Sequence, residues 1–261
     1  MAVNYHAIIT PMTFALMIIA ILAGSALSLL GGALILLTKA KRARAVHLAL
    51  PFGAGALLAA AFFDLLPESF ELAEPRSMLL WALAGFTLFF VMERLVTWFH
   101  HHHDHDTDAE HAKEHQGNMV MFGDLLHNMI DGVAIGAAFL VNPATGFITT
   151  LAVSAHEIPK ELGTFGILLS RGWHDKKVLL ANILTAMGTI VAATLTYLLN
   201  DTLHIPEAQL LAITSGIFIY IAASDIIPDI HEQPRKLGTV QAAVLVAGIV
   251  AVGIAIKLLG V

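Results

Sequence analysis

The chain has 261 residues, of which 57% are hydrophobic and 13% are charged, and its net charge is −6 with His counted as neutral. Soluble domains are usually close to half apolar and about a quarter charged, so this composition is typical of a membrane protein. The negative charge argues against a nucleic-acid partner, and the absence of cysteine excludes disulfides and thiolate metal sites. We therefore expect one all-α, polytopic transmembrane domain over residues 1–261, embedded in the lipid bilayer.

Eight apolar runs, roughly 18–25 residues long in most cases, are sufficient to cross a hydrocarbon core of about 30 Å. The predicted spans cover residues 9–37, 47–70, 77–99, 119–141, 146–169, 178–199, 207–230 and 237–259. The first run is long for one helix and should extend beyond the bilayer.

Lys and Arg are concentrated in the odd-numbered loops and set the expected orientation. These residues are Lys39, Lys41, Arg42, Arg44, Lys113, Arg171, Lys176, Lys177, Arg235 and Lys236. The even-numbered loops contribute only Arg76. The positive-inside bias then makes the odd loops cytoplasmic and both termini extracytoplasmic. The small size and the lack of targeting extensions favour a prokaryotic cytoplasmic (inner) membrane.

A short sequence pattern occurs in two oppositely directed spans. Span 2 contains "DLLPES" at residues 64–69, and span 7 contains "DIIPDI" at residues 225–230. An inverted-topology repeat, common in transporters, would leave such a pair in the sequence. A chance match of two six-residue stretches is the alternative.

Two spans carry polar residues where lipid-facing helices would be apolar. Span 4 has Asp124, His127, Asn128 and Asp131, whose spacings of three and four place them on one helical face. Span 5 adds His156, Glu157, Lys160 and Glu161. Charges at membrane depth are costly and persist when they pair or bind an ion. Imidazole, carboxylate and amide oxygen suit Zn²⁺, and less selectively Fe²⁺, Mn²⁺, Co²⁺ or Cd²⁺. A salt-bridge network joining the two spans is the alternative.

Further acidic residues predict a path for the metal. Asp64 and Glu68 of span 2 lie toward the outside and are candidates for admitting it, with solvation of a helix end as the alternative. Asp225 and Asp229 of span 7 lie toward the cytoplasm and, with Asp124, are candidates for its release. Lys160 and Glu161 of span 5 complete the predicted path.

The third loop, at about residues 100–117, is rich in histidine and acidic residues. Its histidines are His100, His101, His102, His103, His105, His111 and His115. The segment lacks the apolar residues that build a core, so we expect it to be disordered. Such clusters bind Zn²⁺ weakly, which favours a cytoplasmic metal acceptor or sensor over an inert linker.

The stretches "HNMIDGVAIG" (127–136) and "HEIPKELG" (156–163) resemble the helix-4 and helix-5 motifs of the ZIP (Zrt/Irt-like) family of divalent metal transporters. Eight spans, external termini and a His-rich third loop extend the resemblance over essentially the whole chain. The family's binuclear site midway across the membrane implies metal ligands here at His127, Asn128, Asp131, His156 and Glu157. The resemblance also implies alternating access, with helices 1, 4, 5 and 6 moving against helices 2, 3, 7 and 8, and a homodimer.

Lys160 departs from the family pattern, in which this position often carries His or Glu. A protonated lysine cannot ligate a metal and repels a cation. The hypothesis is that its ammonium replaces the second metal and pairs with Glu157 or Asp131, leaving one transported ion. A deprotonated Lys160 is the alternative.

Three other functions compete with metal uptake. An intramembrane metalloprotease needs His-Glu-x-x-His, but this chain has Pro159 and Lys160 at the last two positions. A metal exporter would use the same ligands, and a metal-sensing receptor would need no path. The sequence favours a non-enzymatic transporter that carries Zn²⁺ into the cytoplasm and has no organic cofactor.

Overall fold

The computed structural model describes residues 11–33, 39–101, 109–170, 172–203 and 206–259. Within these ranges every regular element is helical and no strand occurs. The predicted class, an all-α polytopic membrane protein, is therefore confirmed.

Helical rods follow one another through the described ranges. They are α1 (Pro11–Ala33), α2 (Lys39–Ala60, Ala61–Leu65 and Leu66–Leu72), α3 (Pro75–His101), α4 (Ala109–Val141), α5 (Pro143–Ser170), α6 (Asp175–Leu203), α7 (Glu207–Tyr220, Ile221–Ile226 and Ile227–Glu232) and α8 (Arg235–Leu259). Seven of them contain a stretch long and apolar enough to cross a membrane. The exception is α5, whose middle carries the polar stretch from His156 to Glu161. The eighth span therefore remains a prediction.

Two short turns are stabilised by side chains that cap the following helix. The Glu74 carboxylate accepts hydrogen bonds from the N–H groups of Arg76 (3.1 Å) and Ser77 (2.7 Å) where α3 begins. The Asn142 Oδ1 accepts one from the N–H of Thr145 (2.8 Å) where α5 begins. Each capping residue precedes a proline at the first helical position, where its missing N–H costs nothing. These turns make α2 and α3, and likewise α4 and α5, antiparallel neighbours.

The helical ladder of α2 and of α7 is interrupted by one π-helical turn, at Ala61–Leu65 and at Ile221–Ile226. Each turn ends two residues before a proline, Pro67 or Pro228. Proline has no N–H to continue the α-helical ladder, which favours a local rearrangement of this kind. Both turns carry the aspartate of the repeated sequence pattern, so the two patterns share a backbone conformation as well as residues.

The closest helix pairs are α2 with α8, α3 with α7, α1 with α5, and α4 with α6. Glycine permits this closeness at Gly55 of α2, where a Cβ would collide with the backbone carbonyl of Leu245 in α8. Gly216 of α7 meets the carbonyl of Ala82 in α3 in the same way. Small residues at helix crossings are typical of membrane bundles, in which backbones approach closely.

The surface of the bundle is apolar, and its interior combines an apolar core with buried polar side chains. Only 17% of the candidate membrane span is buried in α3 and in α8, against 61% in α2, α4 and α7. Large side chains such as Leu80, Val246 and Ile254 are exposed on the two peripheral helices. Because the interior also holds charged and amide side chains, exposed apolar surface of this kind fits contact with lipid.

Candidate metal centre

The polar faces of α4 and α5 meet in the interior of the bundle. The two helices form an antiparallel hairpin because one residue, Asn142, separates them. Asp131 of α4 and His156 and Glu157 of α5 are buried, and the His127 side chain is 14% exposed. The hairpin thus brings the polar residues of span 4 next to those of span 5.

Four donor atoms from these residues converge on one point. The Nε2 atoms of His127 and His156 are 3.2 Å apart, and each lies 3.6 Å from Asp131 Oδ2 and 3.6 Å from Glu157 Oε1. Ligand atoms on a tetrahedral zinc, at roughly 2.0–2.1 Å from it, are about 3.3 Å from one another. The five distances that join the two nitrogens to each other and to the two oxygens are therefore close to those of a tetrahedral ligand shell.

The hydrogen bonds around the cluster leave its donor atoms available. The His156 Nδ1 lies 3.2 Å from the carbonyl oxygen of Ala152, so a proton on Nδ1 is donated there and the Nε2 lone pair faces the cluster. Asp131 is 1% exposed, and among the described residues no donor bonds to either of its carboxylate oxygens. Buried acceptors without a donor are costly, and a cation would satisfy them.

Asn128 lies beside these four residues, and its amide is already engaged. Its Nδ2 donates to the backbone carbonyl of Asp124 (3.0 Å), and its Oδ1 accepts from the hydroxyl of Thr189 on α6 (3.0 Å). The predicted ligand role of Asn128 therefore requires that its oxygen be shared with, or released by, Thr189.

The Lys160 ammonium joins two carboxylates next to the cluster. Its Nζ lies 2.8 Å from Glu157 Oε1 and 2.9 Å from Asp124 Oδ1. Of the two expected partners Glu157 is found, whereas the second carboxylate is Asp124 rather than Asp131. The Glu157 oxygen at this contact is the same atom that faces both imidazoles, so lysine and cluster share one acceptor.

Aromatic rings from the neighbouring helices cover the imidazoles. Phe89 of α3 meets the His127 ring edge to face at 5.5 Å between centroids, and Phe218 of α7 lies 6.4 Å from the His156 ring. These rings keep water from the apolar side of the cluster. They thereby strengthen its electrostatic interactions.

The predicted outer residues form a separate polar cluster at the α2–α5 contact. Asp64 is buried, and its Oδ1 accepts a hydrogen bond from the Thr145 hydroxyl (3.2 Å). Its Oδ2 has no hydrogen-bond partner within the described part of the chain. Glu68 accepts a bond from the Asn142 side chain (3.4 Å). The structure thus links both acids to the start of α5.

Of the remaining predicted site residues, the structure describes the side chain of Glu161 only. Glu161 is 3% exposed and accepts a hydrogen bond from the Ser28 hydroxyl of α1. The side chains of Asp225 and Asp229 lie outside the described part of the protein. So do those of the loop histidines, namely His100, His101, His102, His103, His105, His111 and His115.

Several residues at the site were not singled out from the sequence. Thr189, Thr145 and Ser28 bond to Asn128, Asp64 and Glu161 respectively, and Phe89 packs on His127. Single hydroxyls and phenylalanines are ordinary in membrane helices, so only their position in space distinguishes them.

Fold and site together define a polytopic membrane protein whose interior holds side chains with donor atoms suited to a metal ion. A family model described as "ZIP Zinc transporter" matches residues 13–118 and 101–255. With matches over most of its length, the chain belongs to the ZIP zinc transporter family. This membership supports the interpretation as a transporter and not an enzyme.

Curated relatives agree with the family. The zinc transporter ZIP13 of Pongo abelii is 30% identical over 217 residues, which are 77% of this chain and 64% of that protein. The zinc transporter foi of Drosophila melanogaster is 40% identical over 120 residues, 46% of this chain and 17% of the relative. Human zinc transporter ZIP4 is 41% identical over 110 residues, which are 42% of this chain and 17% of that protein. The chain spans less than two thirds of the length of these relatives.

Proposed function

We propose that the protein carries Zn²⁺ across the membrane into the cytoplasm, and that the ion is held in transit by the cluster on α4 and α5. The observation that carries this proposal is the convergence of four donor atoms, from His127, Asp131, His156 and Glu157, at the spacing of a zinc shell. Mixed nitrogen and oxygen ligation without thiolate binds zinc loosely enough for release. Fe²⁺, Mn²⁺, Co²⁺ and Cd²⁺ are the other divalent cations that this donor set accepts.

The site binds one metal ion at a time. Lys160 already supplies a positive charge between Glu157 and Asp124, where a second metal would otherwise need these carboxylates. An ammonium that donates hydrogen bonds to two acids at 2.8 and 2.9 Å is the protonated form. This geometry supports a protonated Lys160, whose positive charge takes the place of a second metal, over the deprotonated alternative.

We propose that the cluster opens toward the cytoplasm during release. The basic third and fifth loops mark the cytoplasmic ends of α4 and α5 by the positive-inside bias. Asp64 and Glu68 admit the metal from outside, and Asp124, Asp225 and Asp229 release it.

The bundle has eight spans, including α5, and both termini are extracytoplasmic. The pairing of α2 with α8 and of α3 with α7 is what an inverted repeat exchanging these helices requires, and both repeats carry the π-helical turn. We place the protein in a prokaryotic cytoplasmic membrane as a homodimer that works by alternating access. The histidines of the third loop receive the released metal.

The test is zinc flux into proteoliposomes that contain a fluorescent zinc indicator. Saturable flux in the wild type and its loss in His127→Ala are expected, while His174→Ala, which removes an exposed histidine, should leave flux unchanged. Folded wild-type protein that binds zinc at this cluster but moves none would contradict transport and favour the metal-sensing receptor.

A further inference from the structure

Beside the metal centre, Gly53 of α2 lies directly against the backbone of Ala155 and His156 in α5. A Cβ built on Gly53 would lie 2.8 Å from the His156 Cα, 2.9 Å from the carbonyl oxygen of Ala155 and 3.1 Å from the His156 Cβ. A real Cβ essentially never comes within 3.0 Å of another atom, and the two nearest atoms here belong to backbone that cannot rotate away. A residue larger than glycine therefore fits at position 53 only if one of the two helices shifts.

This contact belongs to a long antiparallel contact between α2 and α5. On α2, Gly53 and Asp64 are eleven positions apart. On α5, their respective neighbours His156 and Thr145 are also eleven positions apart, in the opposite direction along the chain. At 1.5 Å per residue each interval spans about 16 Å, so the two helices run side by side over that length.

Gly53 and Gly55 face opposite neighbours of α2. Each residue of an α-helix is turned by about 100° from the one before it, so positions two apart point to nearly opposite sides. Gly55 accordingly meets the backbone carbonyl of Leu245 in α8. α2 is thus held between α8 and α5, and Gly53 determines how closely it approaches α5.

The backbone that Gly53 contacts lacks one helical hydrogen bond. Residue 159, four positions beyond Ala155, is proline and has no N–H to donate to the Ala155 carbonyl. The usual bond of the α5 ladder therefore does not hold this carbonyl in place, and contact with α2 limits its movement instead. The position of the next residue, His156, then depends on a neighbouring helix.

Other contacts orient the ring of His156 but act only on its side chain. Its Nδ1 lies 3.2 Å from the Ala152 carbonyl oxygen, and the Phe218 ring lies 6.4 Å away between centroids. Gly53 instead acts on the backbone that carries the ring. Distances between a metal and its ligands are defined to within about 0.2 Å, so a backbone shift of a few tenths of an ångström matters at this site.

We infer that Gly53 is a positioning residue for the metal centre. Because it has no side chain, α2 lies against Ala155 and His156, and this contact sets the place of the His156 ligand. Gly53 acts through His156 and binds no metal itself. The inference rests on the proposed function, since it assigns Gly53 to the proposed zinc site.

The test is Co²⁺ binding to the purified full chain in detergent, because the visible absorption bands of Co²⁺ depend on its coordination geometry. Gly53→Ala should shift these bands and raise the Kd for Co²⁺ and Zn²⁺ by about tenfold, the lower end of the cost of losing a group that orients a ligand. Gly55→Ala makes the same change on the opposite side of α2, and its folded fraction should keep the wild-type bands and Kd. Wild-type bands and Kd in folded Gly53→Ala would overturn the inference.

A second substitution keeps the test decisive if Gly53→Ala alone does not fold. Pro159→Ala restores an N–H that draws the Ala155 carbonyl back into the α5 ladder, away from α2. In this background Gly53→Ala should fold and raise the Kd by a smaller factor, because contacting residues are not additive. A double variant that does not fold, or an equal factor in both backgrounds, would contradict the inference. Wild-type Co²⁺ bands that persist in His156→Ala would refute the proposed zinc site and the inference with it.

Discussion

The Nε2 atoms of His127 and His156 lie 3.2 Å apart although the residues are 29 positions apart in the chain. Two imidazole nitrogens this close share either a proton or a cation. Because Asp131 Oδ2 and Glu157 Oε1 each lie 3.6 Å from both nitrogens, a cation at the centre satisfies all four atoms at once. The predictions below start from this geometry.

Asp131→Asn should weaken zinc binding more than any change outside the cluster. The substitution keeps the shape of the side chain but removes the charge of a group that has no hydrogen-bond donor in the described structure. Loss of an outer-shell partner alone costs about 10–100-fold in affinity, so we expect a rise in Kd above about 100-fold. Calorimetric titration of purified protein measures it, and an unchanged Kd would place the metal elsewhere.

Lys160→Glu should change the metal stoichiometry from one to two per chain. It replaces the ammonium between Glu157 and Asp124 by a third carboxylate, which restores ligands for a second ion. Elemental analysis after zinc loading and desalting reports the count. Lys176→Glu, in the exposed first turn of α6, has the same change in charge and should stay at one. Two ions in the wild type would refute the single-metal site.

Asp64→Asn should raise the KM for zinc flux by about tenfold with little change in maximal rate, because a buried acid on the outer route concentrates the cation before it reaches the centre. The matched variant Glu71→Gln neutralises an exposed acid two turns later on α2 and should leave the KM as it is. A loss of maximal rate with an unchanged KM would contradict the role of Asp64 in admitting metal.

Gly55→Ala should destabilise the bundle by about 1–3 kcal/mol, the usual cost of overpacking a filled contact. Its new Cβ would collide with the backbone carbonyl of Leu245, which cannot rotate away. Gly253→Ala lies at the same α2–α8 contact, but its Cβ would lie 3.5 Å from Phe63, an ordinary distance. Equal unfolding free energies of the two variants in a denaturant titration would show that α2 and α8 are not in close contact.

The sequence determined the helices and the identity of the polar groups. Apolar runs long enough to cross a bilayer predicted most helix ends within a few residues, since this signal is local. The exceptions are the starts of α2 and α4, at Lys39 and Ala109, which extend into polar sequence before the predicted spans at 47 and 119. The three- and four-residue spacing in span 4 likewise predicted the face shared by His127 and Asp131. Local periodicity carries no information on how two helices rotate against each other, so the convergence with His156 needed the resemblance to a known family.

Tertiary structure alone decided which acids Lys160 joins, that Thr189 engages Asn128, and that Ser28 of α1 bonds to Glu161 of α5. These contacts connect residues on different helices, and each depends on helix rotation and on side-chain conformation. The sequence by itself therefore determined a membrane bundle with zinc-type ligands. Only the packing of that bundle decided that four donor atoms meet at one point.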